Sequence, residues 1–469
     1  MSQDASGSRA VRHVALVSLH TSPLLTPGSG DAGGLNVYVA QTAARLAARG
    51  VAVDVFTRDA GEGYAAPVPL PAPAPLAPAD EAPAPPGGDA PALAGGDAPA
   101  LARDAALPAA RALVHHLSAG PPEAAKEELP AHLDAFAAAL EEPLAAGRYD
   151  AVHTHYWLSA AATLPAARRH GIPLVHTMHT MARVKNLSLA AGERPEPEVR
   201  VAGEERVVAE ADALVANTPQ EAGALVEHYG ADPDRVHVVL PGVDLETFRP
   251  TAGGRDRSQA LARERLGLPA DAVLLLFVGR VQPLKAPDVL VRAAGEMVRR
   301  DPALRERLVV AVLGGLSGSG LAEPEALRRV VAEEGLQDVV RTAASLPREE
   351  LATWFRAADL LAVPSHHESF GLVAVEALAS GTPVVAARVG GLPHAVGDAG
   401  VLVDGHDPRD WADALDGALG RLVTPQEREA WSARALAHAR TLSWERTVDR
   451  LLEVYAAARA VAHERREHG

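Results

Sequence analysis

Cysteine is absent from this chain of 469 residues. That excludes disulfides, a thiolate nucleophile and Cys-ligated zinc or iron–sulfur sites, and it fits a reducing compartment. Aromatic residues are scarce, at 4%, so the core has to be aliphatic and built from Val, Leu and Ala. There is no run of about 18 apolar residues, so no segment reads as a bilayer span. The stretch MSQDASGSRAVRH has no apolar core of the signal-peptide kind, and a cytoplasmic location is expected. Basic residues are in deficit: 45 Lys and Arg stand against 60 Asp and Glu, a net charge of −15. Nucleic acid is therefore not expected as a partner, and an anionic membrane surface is disfavoured. A cationic pocket for a small anion stays open, because net charge does not describe single sites.

What the chain does have is a repeating alternation. HVALVSL (13–19), VAVDVFT (51–57), DAVHTH (150–155), PLVHTMH (173–179), DALVANT (212–218) and VHVVLPG (236–242) are short aliphatic runs separated by helical patterns. The pattern restarts with AVLLLFVGR (272–280), LVVAVLGG (308–315), VVRTAA (339–344), DLLAVPS (359–365) and TPVVAAR (382–388). Such runs are what parallel strands covered on both faces look like. The expected fold class is α/β, with two Rossmann-like doubly wound domains facing an interdomain cleft. Residues 12–245 and 246–440 form these domains, with the join near Pro241–Pro250. Residues 1–11 are expected to be disordered, and a last helix at 441–469 returns toward the first domain.

One stretch breaks the alternation. Residues 61–110 hold 12 of the 37 prolines, and GGDAPALA occurs there twice in tandem, at 87–94 and 95–102. This composition cannot bury enough apolar surface to offset the entropy of ordering, so a disordered surface insert is expected.

Three motifs carry chemistry. HTSPLLTPGSGDAGGLNVYV (20–39) follows a strand and runs into a helix. Gly33 and Gly34 would leave helix N-terminal N–H groups open to a phosphate or sugar. The spacing is not the dinucleotide GxGxxG, and an ordinary Gly-rich turn fits as well. VGRVQPLKAP places Arg280 and Lys285 directly after a strand, a fork and a point charge suited to a diphosphate. In PSHHESFGLVAVEALASG, Glu368 precedes a helix and Glu376 lies inside it. Both carboxylates can accept hydrogen bonds from sugar hydroxyls. His153, His155, His176 and His179 cluster after two strands. No carboxylate lies at ligand spacing, so hydrogen bonding to a substrate is expected rather than zinc.

GR-x4-K after a strand, followed by E-x7-E with SFG inside it, resembles the retaining glycosyltransferases of family four, which have the GT-B fold. The resemblance covers Arg12 to Ala458 apart from the insert. HTSPL, PGSGDAGGLNVYV, AKEELP, HTHYWLS, HTMHT, VKN and FVGRVQPLKAPDVL are similar to the branch of that family acting in mycothiol biosynthesis. Its members move N-acetylglucosamine from UDP-N-acetylglucosamine to 1D-myo-inositol 3-phosphate, the first glycosylation step, with retention.

The resemblance implies roles residue by residue. The inositol phosphate would meet His20, Asp31, Ala32, Gly33, Gly34, Leu35, Asn36, Lys126, Tyr156, Thr180 and Arg200. The donor would meet Thr26, Pro27 and Gly34, with Arg280 and Lys285 on the diphosphate, the backbone of Leu346 on uracil, Glu368 on sugar hydroxyls and Glu376 on the ribose. His179 is similar to a family histidine beside the sugar and the reaction centre. No catalytic cofactor is implied. A peripheral magnesium ion on Phe355, Arg356, Ala358 and Thr382, through backbone oxygens, and a homodimer are. The chain departs from the family in reading GGLSG where GGPSG is usual, WLSA where WLSG is usual, and Thr26 where Gln is common. Competing readings are a sucrose-phosphate synthase-like or phosphatidylinositol mannosyltransferase-like enzyme, a UDP-sugar 2-epimerase, and a non-catalytic nucleotide-sugar binding module.

Overall fold

Val14, Ala15, Leu16 and Val17 are all fully buried in the first strand. Side chains alternate between faces along a strand, so Val14 and Leu16 enter one core cluster while Ala15 and Val17 enter another. A strand that must satisfy two cores cannot alternate apolar with polar, hence the continuous aliphatic runs. A computed structural model of the chain describes residues 10–28, 32–64, 66–72, 111–187, 189, 194–315 and 324–468.

The first sheet contains β1 (His13–Val17), β2 (Ala52–Arg58), β3 (Val68–Pro69), β4 (Ala112–Leu117), β5 (Ala151–His155), β6 (Leu174–Thr177), β7 (Ala213–Ala216) and β8 (Val236–Val238). Their order is β3-β4-β2-β1-β5-β6-β7-β8, parallel except at β3–β4. The second contains β9 (Val273–Val278), β10 (Leu308–Leu313), β11 (Val340–Ala343), β12 (Leu360–Val363), β13 (Val384–Ala387) and β14 (Val401–Val403). It runs β11-β10-β9-β12-β13-β14, parallel throughout. In each sheet the strand order reverses beside the first strand. A crevice therefore opens at the carboxyl ends of β1 and β9, where doubly wound sheets bind ligands. His20 lies just past β1 and Arg280 just past β9.

The two-sheet architecture expected from the alternation is present, with three strands that the runs did not reveal. The run of β4, ALVHHL, is broken by two histidines, β14 is only three residues long, and β3 falls inside the stretch expected to be disordered. Val68 and Pro69 pair antiparallel with Val114 and Leu113, and Leu70 N–H donates to Ala112 O at 2.9 Å. An edge that offers hydrogen bonds orders this part of the Pro-rich segment despite its composition. Most of the remaining insert, 73–110, lies outside the described residues, as does 1–9.

The chain crosses between sheets twice at one place. Val243 N–H donates to Leu442 O at 2.8 Å, and Val243 pairs in parallel with Ser443. A Cβ on Gly242 would lie 2.1 Å from Trp444 N, so only glycine permits this crossing. The helix Trp444–His468 then packs Val448, Leu451, Tyr455 and Ala458 into the core shared with β1. These positions repeat at helical spacing and form one face.

Candidate active site

Tyr156 follows β5 with φ +70°, in the left-handed region that few non-glycine residues adopt. Its ring sits between two cations, with Lys126 Nζ 4.6 Å and the Arg200 guanidinium 5.0 Å from the ring centroid. The His20 ring lies 4.7 Å away on the same tyrosine. Arg200 is held in place by Glu204 (2.7 Å) and Glu196 (2.8 Å), and its Nη2 donates to Thr180 Oγ1 at 2.9 Å. Burial, then the charges of Lys126, His179 and Arg200, keep His20 well below the ordinary imidazole value, and therefore neutral. Five residues expected on the acceptor thus share one pocket. A point charge, a guanidinium fork and hydroxyl groups match a phosphate ester on a polyol.

The glycine-rich loop supplies the roof. Helix geometry leaves the Gly34 and Leu35 N–H groups of the helix Gly34–Ala48 without intrahelical acceptors, at the positive end of its dipole. Asn36 N–H donates to Gly33 O at 3.1 Å, and the Gly33 N–H expected to be open is taken by the Asn36 side chain. Gly34 is exposed and Gly33 half-buried. Asp31, expected on the acceptor, lies outside the described residues. Ala32 is buried, and its carbonyl accepts from Gly28 N–H at 2.9 Å. Leu35 packs its side chain on the core, leaving only its backbone for a ligand. Asn36 requires a correction. Its Oδ1 accepts from Gly33 N–H at 2.9 Å, and its Nδ2 donates to Thr21 Oγ1 and Ser22 O, each at 2.6 Å. With its amide engaged on both ends and 1% exposed, Asn36 shapes the loop and does not face the acceptor.

The donor side is built from the second sheet. Arg280 is half-buried two residues past β9, and Lys285 ends the short turn Pro283–Lys285. Lys285 Nζ pairs with Glu368 Oε2, so the expected diphosphate and sugar contacts touch each other. Gly391 N–H donates to Glu368 O at 2.9 Å, and a Cβ on Gly390 (φ +50°) would lie 1.9 Å from that oxygen. The Glu368 loop therefore rests on two glycines. Glu376, in the helix Leu372–Ala379, has Arg348 at 3.8 Å, and burial raises its carboxyl to about 7. Leu346 is half-buried at the edge of this core; Thr26 is exposed and Pro27 half-buried on the first domain's loop. That loop reaches across: a Cβ on Gly315 would lie 2.4 Å from Gly28 O, and one on Gly34 3.5 Å from Leu372 Cδ1. Two helix N-termini thus approach each other over the cleft. His179, at φ +60°, accepts a hydrogen bond at its carbonyl from Ser369 Oγ at 2.6 Å.

Residues 32–247 match the family described as Glycosyltransferase Family 4, and residues 258–438 match Glycosyl transferases group 1. A D-inositol 3-phosphate glycosyltransferase of Thermomonospora curvata is 53% identical, covering 96% of this chain and 97% of that one. One of the same name from Streptosporangium roseum is 50% identical, covering 97% and 95%. The chain belongs to the D-inositol 3-phosphate glycosyltransferase family. Among solved structures, a sucrose-phosphate synthase of Thermosynechococcus elongatus matches with TM-score 0.75 and 28% identity, covering 95% of this chain and 98% of that one.

In this glycosyltransferase the histidine cluster divides. His153 is satisfied by Tyr455 Oη (2.9 Å) and Thr177 Oγ1 (2.8 Å), and His176 by Thr154 Oγ1 (2.8 Å) and Met178 Sδ (3.1 Å). Both are fully buried inside the sheet. The expectation that all four face a substrate is corrected: the nitrogens of His153 and His176 are taken up by neighbouring side chains in the core, and His155, on the same face of β5 as His153, is also fully buried. Among the described residues no group of three metal-ligating side chains occurs.

The magnesium expectation also fails to fit. Arg255 donates to Arg356 O at 2.7 Å and to Ala358 O, while Gln259 Nε2 lies 3.3 Å from Ala358 O. Thr382 Oγ1 donates to Phe355 O. A buried guanidinium already supplies positive charge to the carbonyls that would hold the ion, and a dication beside it would be repelled.

Sequence reasoning missed Ser369, Arg348, Glu196 and Glu204. Ser369 stood inside the quoted ESFG motif, and a hydroxyl next to Glu368 was the available signal. The two glutamates that hold Arg200 lie four residues to either side of it, a helical pairing legible in principle.

Proposed function

We propose that this enzyme transfers N-acetylglucosamine from UDP-N-acetylglucosamine to 1D-myo-inositol 3-phosphate with retention of configuration. The observation that carries the reading is the convergence of His20, Lys126, Tyr156, Thr180 and Arg200 on one pocket beside His179. The relatives' shared name supports it.

In this reading the acceptor phosphate binds Lys126 and Arg200, and the neutral ring of His20 packs beside it. Arg280 and Lys285 hold the donor diphosphate. Glu368 takes the sugar hydroxyls, Glu376 the ribose and the Leu346 backbone the uracil. An inositol hydroxyl attacks the anomeric carbon from the face that UDP leaves. The carbon–oxygen bond to UDP breaks as the new one forms, and the departing phosphate takes the hydroxyl proton. No protein nucleophile is involved. Arg280, Lys285 and the helix terminus at Gly34 stabilise the charge that develops on the diphosphate. A cytoplasmic homodimer belongs to the same reading.

The test is a matrix of UDP-sugars against polyol and sugar phosphates, read as UDP release and product stereochemistry. Release should depend on inositol 3-phosphate and be fastest with UDP-N-acetylglucosamine. UDP release that ignores inositol 3-phosphate overturns the assignment. The similarity to a sucrose-phosphate synthase favours a hexose phosphate as the second acceptor to include.

A further inference from the structure

The imidazoles of His155 and His179 face each other, with His155 Nδ1 3.0 Å from His179 Nε2. One of these nitrogens must donate and the other accept. Burial keeps His179 neutral, lowered to about 3, and His155 well below its ordinary value, so each ring carries one proton. His155 Nε2 is buried and has no hydrogen-bond partner. This atom decides the direction. If His179 Nε2–H donated, His155 would have to carry its proton on Nε2, a buried donor with no acceptor. If His155 Nδ1–H donates, Nε2 is a bare lone pair, which is far less costly to leave unpaired.

The surroundings hold both rings in this relation. His153 lies against His155 with centroids 4.3 Å apart, and its own nitrogens are both satisfied. Tyr38 contacts both rings, 5.6 Å from His155 and edge-on 5.2 Å from His179. The backbone of His179 is pinned at φ +60° by Ser369. We infer that His155 is a positioning residue that fixes His179 as the Nδ1–H tautomer, so that His179 meets the donor sugar as a hydrogen-bond donor and not as an acceptor. The inference rests on the reading that His179 faces the donor sugar.

Two measurements separate the inference from that reading. The first is a long-range proton–nitrogen spectrum of the full protein labelled with ¹⁵N-histidine, with the His179 signals assigned by their loss in His179→Gln. A protonated Nδ1 at His179 in the unsubstituted protein is expected; a protonated Nε2 overturns the inference without any appeal to activity. The second is steady-state kinetics. His155→Asn keeps a donor near the Nδ1 position and should retain turnover within about threefold. His155→Leu should lower kcat about 10- to 100-fold, the scale of a misoriented catalytic group, with the acceptor KM little changed. Equal kcat for Asn and Leu overturns the inference. If His179→Gln itself leaves turnover unchanged, the placement of His179 at the sugar fails, while the tautomer measurement stands on its own.

Discussion

The hydroxyl of Ser369 donates to the main-chain carbonyl of His179 over 2.6 Å, tying the donor motif of one sheet to the strand end of the other. The bond spans the cleft and lies next to Glu368, so it sets the distance between the two halves of the site. Ser369→Ala removes one hydrogen bond worth about 1 kcal/mol; the bond raises turnover only by as much as it strengthens on reaching the transition state, at most about fivefold. We expect kcat to fall up to about fivefold and Tm to fall by about 2–4 °C. Ser369→Thr should restore it. Unchanged kcat in the alanine variant would remove the clasp from the catalytic geometry.

Lys126 and Arg200 separate binding from folding. Lys126 stands over the Tyr156 ring, and in the proposed reading it binds the acceptor phosphate. Lys126→Ala should raise the acceptor KM about tenfold or more, the scale of a charge-assisted hydrogen bond, and leave the donor KM alone. Arg200→Ala does more, because the Glu204 side chain is fully buried against it. The other carboxylate oxygen keeps Ala182 N–H and the Tyr229 hydroxyl, but removing the cation from a buried ion pair costs about 3–5 kcal/mol, so the variant's Tm should drop as well. A Lys126→Ala enzyme with a normal acceptor KM would sink the phosphate assignment.

Arg280 should act on turnover. Charge on the diphosphate grows as the sugar departs, and a donor aimed at developing charge is worth about 10²–10³ in kcat. Arg280→Ala should lose that much while the acceptor KM moves little. Near-normal turnover would place the diphosphate elsewhere.

Glu376 makes stability depend on pH. Burial raises its folded value from about 4.5 to about 7, despite the opposing charge of Arg348. Between those values the folded chain binds more protons than the unfolded one, so this residue's contribution falls as pH rises through that window. Glu376→Gln has nothing to titrate. Its Tm relative to the unsubstituted protein should rise by about 4–8 °C from pH 5 to pH 7.5, because the change in protonation contributes about 2 kcal/mol over that range and about 1 kcal/mol moves Tm by about 2–4 °C in a domain of this size. Parallel melting curves across that range would contradict the buried-carboxyl account.

The aliphatic runs were enough to read the two sheets, because a strand buried on both faces needs an unbroken apolar sequence. β4, whose run is broken by His115 and His116, the three-residue β14, and the two-residue β3 inside the Pro-rich segment were not legible. Their order comes from a neighbouring strand's hydrogen bonds, not from their own composition. The placement of Arg280 and Lys285 after a strand, and of Glu368 and Glu376 on either side of a helix start, was legible from their spacing.

The residue types, their order along the chain and the strand-to-loop positions of the motifs were determined by the sequence alone, since these are local properties of a few neighbouring residues. Partnership was decided only by the tertiary structure. Lys285 lies against Glu368, His155 against His179, and Arg255 on the carbonyls that seemed fit for a metal. Asn36 closes its own loop, and Ser369 reaches the far side of the cleft. Hydrogen bonds and ion pairs act over about 3 Å, and no spacing rule along a chain specifies which distant groups folding will bring that close.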